Sequence, residues 1–256
     1  MTSAYAELPG IRMHFEREGA GPPLVLLHGS LMTADLTFRA LRPRLAERHD
    51  VILPELQGHG HTAESERPTS LDHLAADVVA LLAHLGVARA DVMGFSLGGW
   101  VALHTALGTP ERVRRLVVAS APLAPDGAHR DTQPGTADFA SPRMPTAKEF
   151  AALAEAYRRV APDPTMWETT AAKIQALVAG FAGWPREDLA RLLAPTLLLV
   201  GDTDFVRLEH AVEAVGWLPH AWLGVLPHTR HMDVTRRVDA VLAMLEPFLA
   251  GEDASA

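Results

Sequence analysis

Along this chain, short unbroken apolar runs alternate with stretches in which apolar residues recur every three or four positions. The runs Leu24–Leu27, Val51–Leu53, Asp91–Gly94, Leu116–Ala119, Pro195–Val200 and Ala221–Leu226 predict strands, most of them buried on both faces. Helices are predicted between them. One covers 34–48, with Pro43 a point of kinking. Another follows Ser70, a capping residue, and carries Leu71, Leu74, Val78, Leu81, Leu82 and Leu85 on one face until Gly86 ends it. Further helices are predicted from just after Ser96 to about Leu107, over about Glu209–Gly216 and over about Thr235–Leu249, with Gly251–Ala256 as a frayed tail. Residues 11–17 alternate weakly, Ile11, Met13 and Phe15 against Arg12, His14 and Glu16, which predicts a first, antiparallel strand.

Strand and helix in alternation predict an α/β fold with a mostly parallel sheet flanked by helices. The alternation stops at Pro122 and resumes near Pro195. Between them lie a Gly/Pro-rich polar loop (124–145) and two helical patterns, near 146–160 and 165–182. The chain is therefore expected to have a core, residues 1–122 and 194–256, and a small helical cap, residues 123–193, inserted over the strand ends.

Composition narrows the picture. A chain of 256 residues, 48% hydrophobic, suits one domain with an insertion. No cysteine is present, so disulfides and cysteine metal sites are excluded. A formal charge of -8 argues against a nucleic-acid partner. Arg112, Arg114 and Arg115 cluster just before a strand, where a solvated loop is expected. With no signal-like start and no run of spanning length, a cytoplasmic protein without a membrane partner is expected. Oligomeric state leaves no trace in the sequence. Among thirteen histidines, His59 and His61 are flanked by Gly58 and Gly60, and His228 and His231 are three apart. Neither pair has acidic or thiolate company, so no metal or other cofactor is expected.

The chemistry centres on Gly94-Phe95-Ser96-Leu97-Gly98. An apolar run ends at Gly94 and a helical pattern begins after Ser96, so the serine is expected at the apex of a tight strand-to-helix turn. There the Leu97 N–H opens a helix, where an unpaired donor at the positive dipole end suits a developing oxyanion. A serine needs a base, and the base an orienting group. The chain supplies aspartates after the strand ending near Val200 and histidines after the strand ending near Leu226.

In this order His28-Gly29, Gln57-Gly58-His59-Gly60, Gly94–Gly98, Gly201-Asp202-Thr203-Asp204 and Thr229-Arg230-His231 resemble the successive landmarks of the α/β-hydrolase superfamily, over essentially the whole chain except the cap. The resemblance implies Ser96 as nucleophile, His231 as base with His228 a neighbour, and Asp204 as acid. Asp202 is the alternative acid, or the holder of its turn, and Asp126 the reserve. It implies an oxyanion hole of the Leu97 N–H and one from Ser30 or Leu31, with His28 bracing that loop and His59 in a structural loop. Leu31, Phe95 and Trp167 are expected at the substrate, and Trp100, Phe181 and Trp184 are further aromatic candidates. A serine at the elbow disfavours the haloalkane dehalogenase and epoxide hydrolase branches, whose nucleophile is Asp. The expected activity is hydrolysis of a small carboxylic ester or lactone. Thioester cleavage, C–C hydrolysis and perhydrolysis use the same groups, and a small-molecule-sensing protein of the same fold stays open.

Overall fold

The apolar runs become strands of one eight-stranded sheet, all of them inner except Ala221–Leu226 at its edge, in the computed structural model of the protein, which describes residues 1–133 and 135–251. The frayed tail expected at the C-terminus lies, for residues 252–256, outside the described residues. The first half of the chain carries β1 (Thr2–Leu8), β2 (Ile11–Glu18), β3 (Pro23–Leu27), α1 (Ala34–Phe38), α2 (Arg42–Leu45), β4 (Asp50–Pro54), α3 (Leu71–His84), β5 (Ala90–Phe95), α4 (Leu97–Gly108) and β6 (Val113–Ala119). Then come α5 (Ala147–Val160), α6 (Trp167–Ala179), α7 (Arg186–Leu189), β7 (Thr196–Gly201), α8 (Leu208–Val215), β8 (Ala221–Leu226) and α9 (Val238–Ala250).

The strand order is β1-β2-β4-β3-β5-β6-β7-β8. β2 runs antiparallel to both its neighbours. Every pair from β4 to β8 is parallel. Period-two alternation then divides the core. Leu24 and Leu26 of β3 face a layer with Phe38, Leu41 and Leu45 beside α1 and α2 and Leu242 and Leu245 of α9. Val25 and Leu27 face the opposite layer, with Leu74, Val78 and Leu81 of α3 and Val101 and Leu103 of α4.

Several elements differ from expectation. β1 was not predicted, because along it only Ala6 is buried and its place is set by backbone pairing with β2. The helix expected over 34–48 is two short helices, with Pro43 in the first turn of the second, where its missing N–H costs nothing. The last helix starts at Val238 because His231–Arg236 form a 3₁₀ turn first. Arg114 and Arg115 lie within β6 instead of on a solvated loop, and Arg114 forks onto the fully buried Asp91 of β5.

The expected insertion, residues 123–193, divides into a closed excursion and a return. The Trp184 N–H donates to the Leu123 carbonyl at 3.3 Å, so the two ends of the excursion meet. Beyond it, Leu189, Leu192 and Ala194 are buried in the core on the way to β7. Two ion pairs strap the excursion across the strand ends. Lys173 of α6 reaches Glu64 at 3.1 Å, and Glu149 of α5 meets Arg230 at 2.8 Å. Among the described residues no helix is long and apolar enough to cross a membrane.

Candidate active site

Ser30, Ser96, Asp204 and His231 each stand past the carboxyl end of a parallel strand, the edge where such sheets gather ligands. Ser96 follows β5 with φ 55° and ψ -119°, a conformation a non-glycine residue adopts only when its surroundings impose it. Those surroundings are tight. A Cβ at Gly94 would stand 1.9 Å from the Gly98 carbonyl oxygen, and one at Gly98 2.1 Å from that of Leu27. Glycines at both positions let β5, the turn and α4 pack against each other and against β3. At the head of α4 the Leu97 N–H finds no acceptor among the described residues.

The Ser96 hydroxyl faces His231 Nε2 at 3.1 Å, and His231 Nδ1 donates to Asp204 Oδ1 at 2.7 Å. Asp204 is buried beyond β7. Burial alone would raise its pKa, but the facing His231, the Ser120 hydroxyl and the Gly201 N–H outweigh it and hold the carboxyl below its ordinary range. Phe205 lies flat on the His231 ring, centroids 3.9 Å apart. Sequence reasoning missed Ser120 and Phe205. Ser120 follows β6 at φ 55° and donates to Asp204 Oδ2, and only its position after a strand hints at a role.

The alternatives go elsewhere. Asp202 accepts the N–H groups of His228 and Thr229, at 2.9 and 3.0 Å, and so holds the loop after β8 instead of its own turn. His228 is exposed, and so is Asp126.

On the opposite side of Ser96, the loop after β3 is braced by two buried imidazoles. His28 Nε2 accepts the Leu56 N–H and His59 Nε2 accepts the Leu31 N–H, both at 3.0 Å. Each Nδ1 faces a carbonyl oxygen, of Gly29 and Gln57 respectively, so each ring is neutral with its proton on Nδ1. Burial pushes both pKa values down, that of His28 to about 3. Leu31, the alternative to Ser30 as second oxyanion donor, has thus given its N–H to His59, whereas the Ser30 N–H has no acceptor among the described residues. The same loop corrects the expectation that His61 lacks acidic company. Gly58 and Gly60, both at positive φ, turn the chain back so that His61 Nδ1 lies 2.8 Å from Glu55.

Above Ser96 and His231 opens a cavity of about 390 Å³, in the range of small-molecule sites. Leu31, Phe95, Trp100 and Phe181 line it, together with Phe150 and Met232. Trp100 donates its indole N–H to Pro122 O at 2.7 Å and stacks on Phe181 at 3.8 Å, joining α4 to the excursion. Trp167, expected at the substrate, is not in the lining. It packs on Tyr157, centroids 5.4 Å apart, and against the core. Trp184 likewise stays outside the lining. Among the described lining residues there is no Asp, Glu, Lys or Arg.

Comparison with known proteins bears on the family and the fold. A family model described as the alpha/beta hydrolase fold matches residues 22–146. The 2-hydroxymuconate semialdehyde hydrolase of a Pseudomonas species is 30% identical over 96% of this chain and 93% of its own. The pimeloyl-[acyl-carrier protein] methyl ester esterase of Xanthomonas campestris is 31% identical over 93% of this chain and 99% of its own. The enol-lactonase of Burkholderia xenovorans, at 20% identity, shares the fold with a TM-score of 0.76 over 96% of this chain and 100% of its own. On this near-full-length similarity, and on the sheet and strand-end geometry it accompanies, the chain belongs to the α/β hydrolase family.

Proposed function

We propose that the protein is a serine hydrolase that cleaves a small, uncharged carboxylic ester or lactone through an acyl-enzyme on Ser96. The observation that carries this reading is the row Ser96–His231–Asp204, at 3.1 and 2.7 Å, on the floor of an apolar cavity. His231 takes the Ser96 proton as Oγ attacks the acyl carbonyl, and Asp204 steadies the imidazolium that forms. The Ser30 and Leu97 N–H groups hold the tetrahedral oxyanion. His231 then protonates the leaving alcohol. A water that gives its proton to His231 releases the acid and restores Ser96. The excursion over the strand ends acts as the cap that selects substrate, through Phe150 and Phe181.

A second reading has support in the 30% relative, a semialdehyde hydrolase, and would make the reaction a C–C hydrolysis of a muconate-type compound. Such a compound carries a carboxylate. With no Lys or Arg among the described lining residues, that charge has no partner there, and burying it so is costly. The ester reading is therefore preferred.

Fluorophosphonate labelling read by intact mass tests the proposal on wild type, Ser96→Ala and His231→Ala. One adduct on wild type and none on either variant is expected. No adduct on folded wild type would turn the reading toward a ligand-sensing protein. A panel of neutral esters, lactones and an oxo-dienoate then separates the two reactions, and faster cleavage of the dienoate would favour the C–C reading.

A further inference from the structure

We propose that His14, Glu55 and His61 form a binding site for a divalent transition-metal ion of the zinc class, apart from the Ser96 cavity. The three residues come from β2, the first position after β4 and the end of the glycine turn, and their ligand atoms all lie within 4.8 Å of one another. His61 Nδ1 is 2.8 Å and His14 Nδ1 2.9 Å from the same oxygen, Glu55 Oε2.

That crowding is the main argument. Glu55 Oε2 already accepts the His61 backbone N–H at 2.7 Å as well as the His61 ring. His14 Nδ1 stands against that oxygen from a side chain that is 3% exposed, out of line for a well-formed hydrogen bond. Groups of this kind ask for an explanation, and an unplaced ion is one. Two imidazole nitrogens and one carboxylate are a recognised zinc donor set that leaves a fourth position for water. Tetrahedral ligation at about 2.1 Å sets donor atoms about 3.4 Å apart, so each histidine nitrogen needs to draw back from Glu55 Oε2 by about 0.5 Å.

The surroundings also suit a ligand site. His14 Nε2 meets Ser3 Oγ at 2.8 Å, an outer hydrogen bond of the sort that fixes a ligating imidazole's tautomer and leaves Nδ1 free for metal. Glu55 sits 3% exposed, and an added Cβ at Gly60 would stand 1.9 Å from its Oε1, so the carboxylate cannot swing away on that side. The His61 side chain is 39% exposed and gives an entry path from solvent. With His59 on the same loop holding the Leu31 N–H, the bound ion would pin the segment that steadies the Ser30 turn.

Visible absorbance of Co²⁺ titrated into chelator-treated protein tests the site in wild type, His61→Ala, Ser3→Ala and His231→Ala, each confirmed folded by circular dichroism. One equivalent of Co²⁺ with the intense bands of a low-coordinate ion is expected, displaced by Zn²⁺ and not by Mg²⁺ or Ca²⁺. His61→Ala should weaken binding by more than about tenfold and Ser3→Ala by about tenfold, with His231→Ala unchanged. Partly exposed His61 is chosen because its loss spares the core, so folding does not confuse the result. The proposal is overturned if folded wild type takes up no Co²⁺, if His61→Ala binds as tightly as wild type, or if His231→Ala alone abolishes uptake.

Discussion

Acidifying the protein should cost stability through His28, and the amount can be worked out. The ring is fully buried, its Nε2 accepts the Leu56 N–H, and its pKa is about 3 against an ordinary 6.5. A histidine held neutral in the folded chain binds fewer protons than in the unfolded one, so its contribution is fully present above the unfolded value and falls as pH drops below it. Between pH 7.5 and 5.5 the unfolded imidazole goes from about one-tenth to about nine-tenths protonated while the folded one stays neutral. Linkage then gives a loss of about 1.4 kcal/mol from this group. His59, shifted downward by burial, adds to the loss, and His61, raised by its bond to Glu55, opposes it. The difference between wild type and His28→Gln isolates the one ring. Urea unfolding at both pH values measures it, and the variant's pH-dependent loss should be smaller than wild type's by about 1.4 kcal/mol. Equal losses would refute the neutral, Nδ1-protonated brace.

Three further outcomes follow from the same geometry. Replacing Ser30 by proline removes the free N–H and should lower ester turnover by about 10²–10³, checked by kcat on a neutral ester. Ser120→Ala deletes a donor to Asp204 and should cost about 1.5–3 kcal/mol of stability and transition-state binding together, measured by urea unfolding and kcat/KM. Gly94→Ala forces a Cβ onto the Gly98 carbonyl and should destabilise by about 3 kcal/mol, whereas Gly108→Ala, with nothing within 4 Å, should raise stability by about 0.5–1 kcal/mol. Thermal or urea unfolding of the pair decides it.

Strands β3 to β7 were legible because burial on both faces writes them as unbroken apolar runs, and Ser96 because its turn needs glycines at fixed spacing. β1 was not, since one buried alanine leaves no pattern. Ser120 meets Asp204 across 84 residues of chain, a contact made by sheet register and not by any local signal. His14 and Glu55 likewise meet only because β2 pairs with β4. Aromatics of the excursion were the least readable. A helix there has two apolar neighbours, cavity and core, and spacing alone cannot tell that Phe150 turns to one and Trp167 packs against Tyr157.

The contact between Trp184 and Leu123 has an evolutionary meaning. A segment whose two ends touch is a cassette. Lengthening it costs little, about 0.6 kcal/mol for each doubling, because closure entropy grows only with the logarithm of length. Its first residues are the less free part, since Ala128 bridges Val206 and the His129 N–H donates to Phe205 O beside Asp204, so variation in length falls on the stretch beyond them. Descendants of a duplicated gene should therefore differ most inside that segment, which supplies Phe150 and Phe181 to the cavity, and least at its hinge.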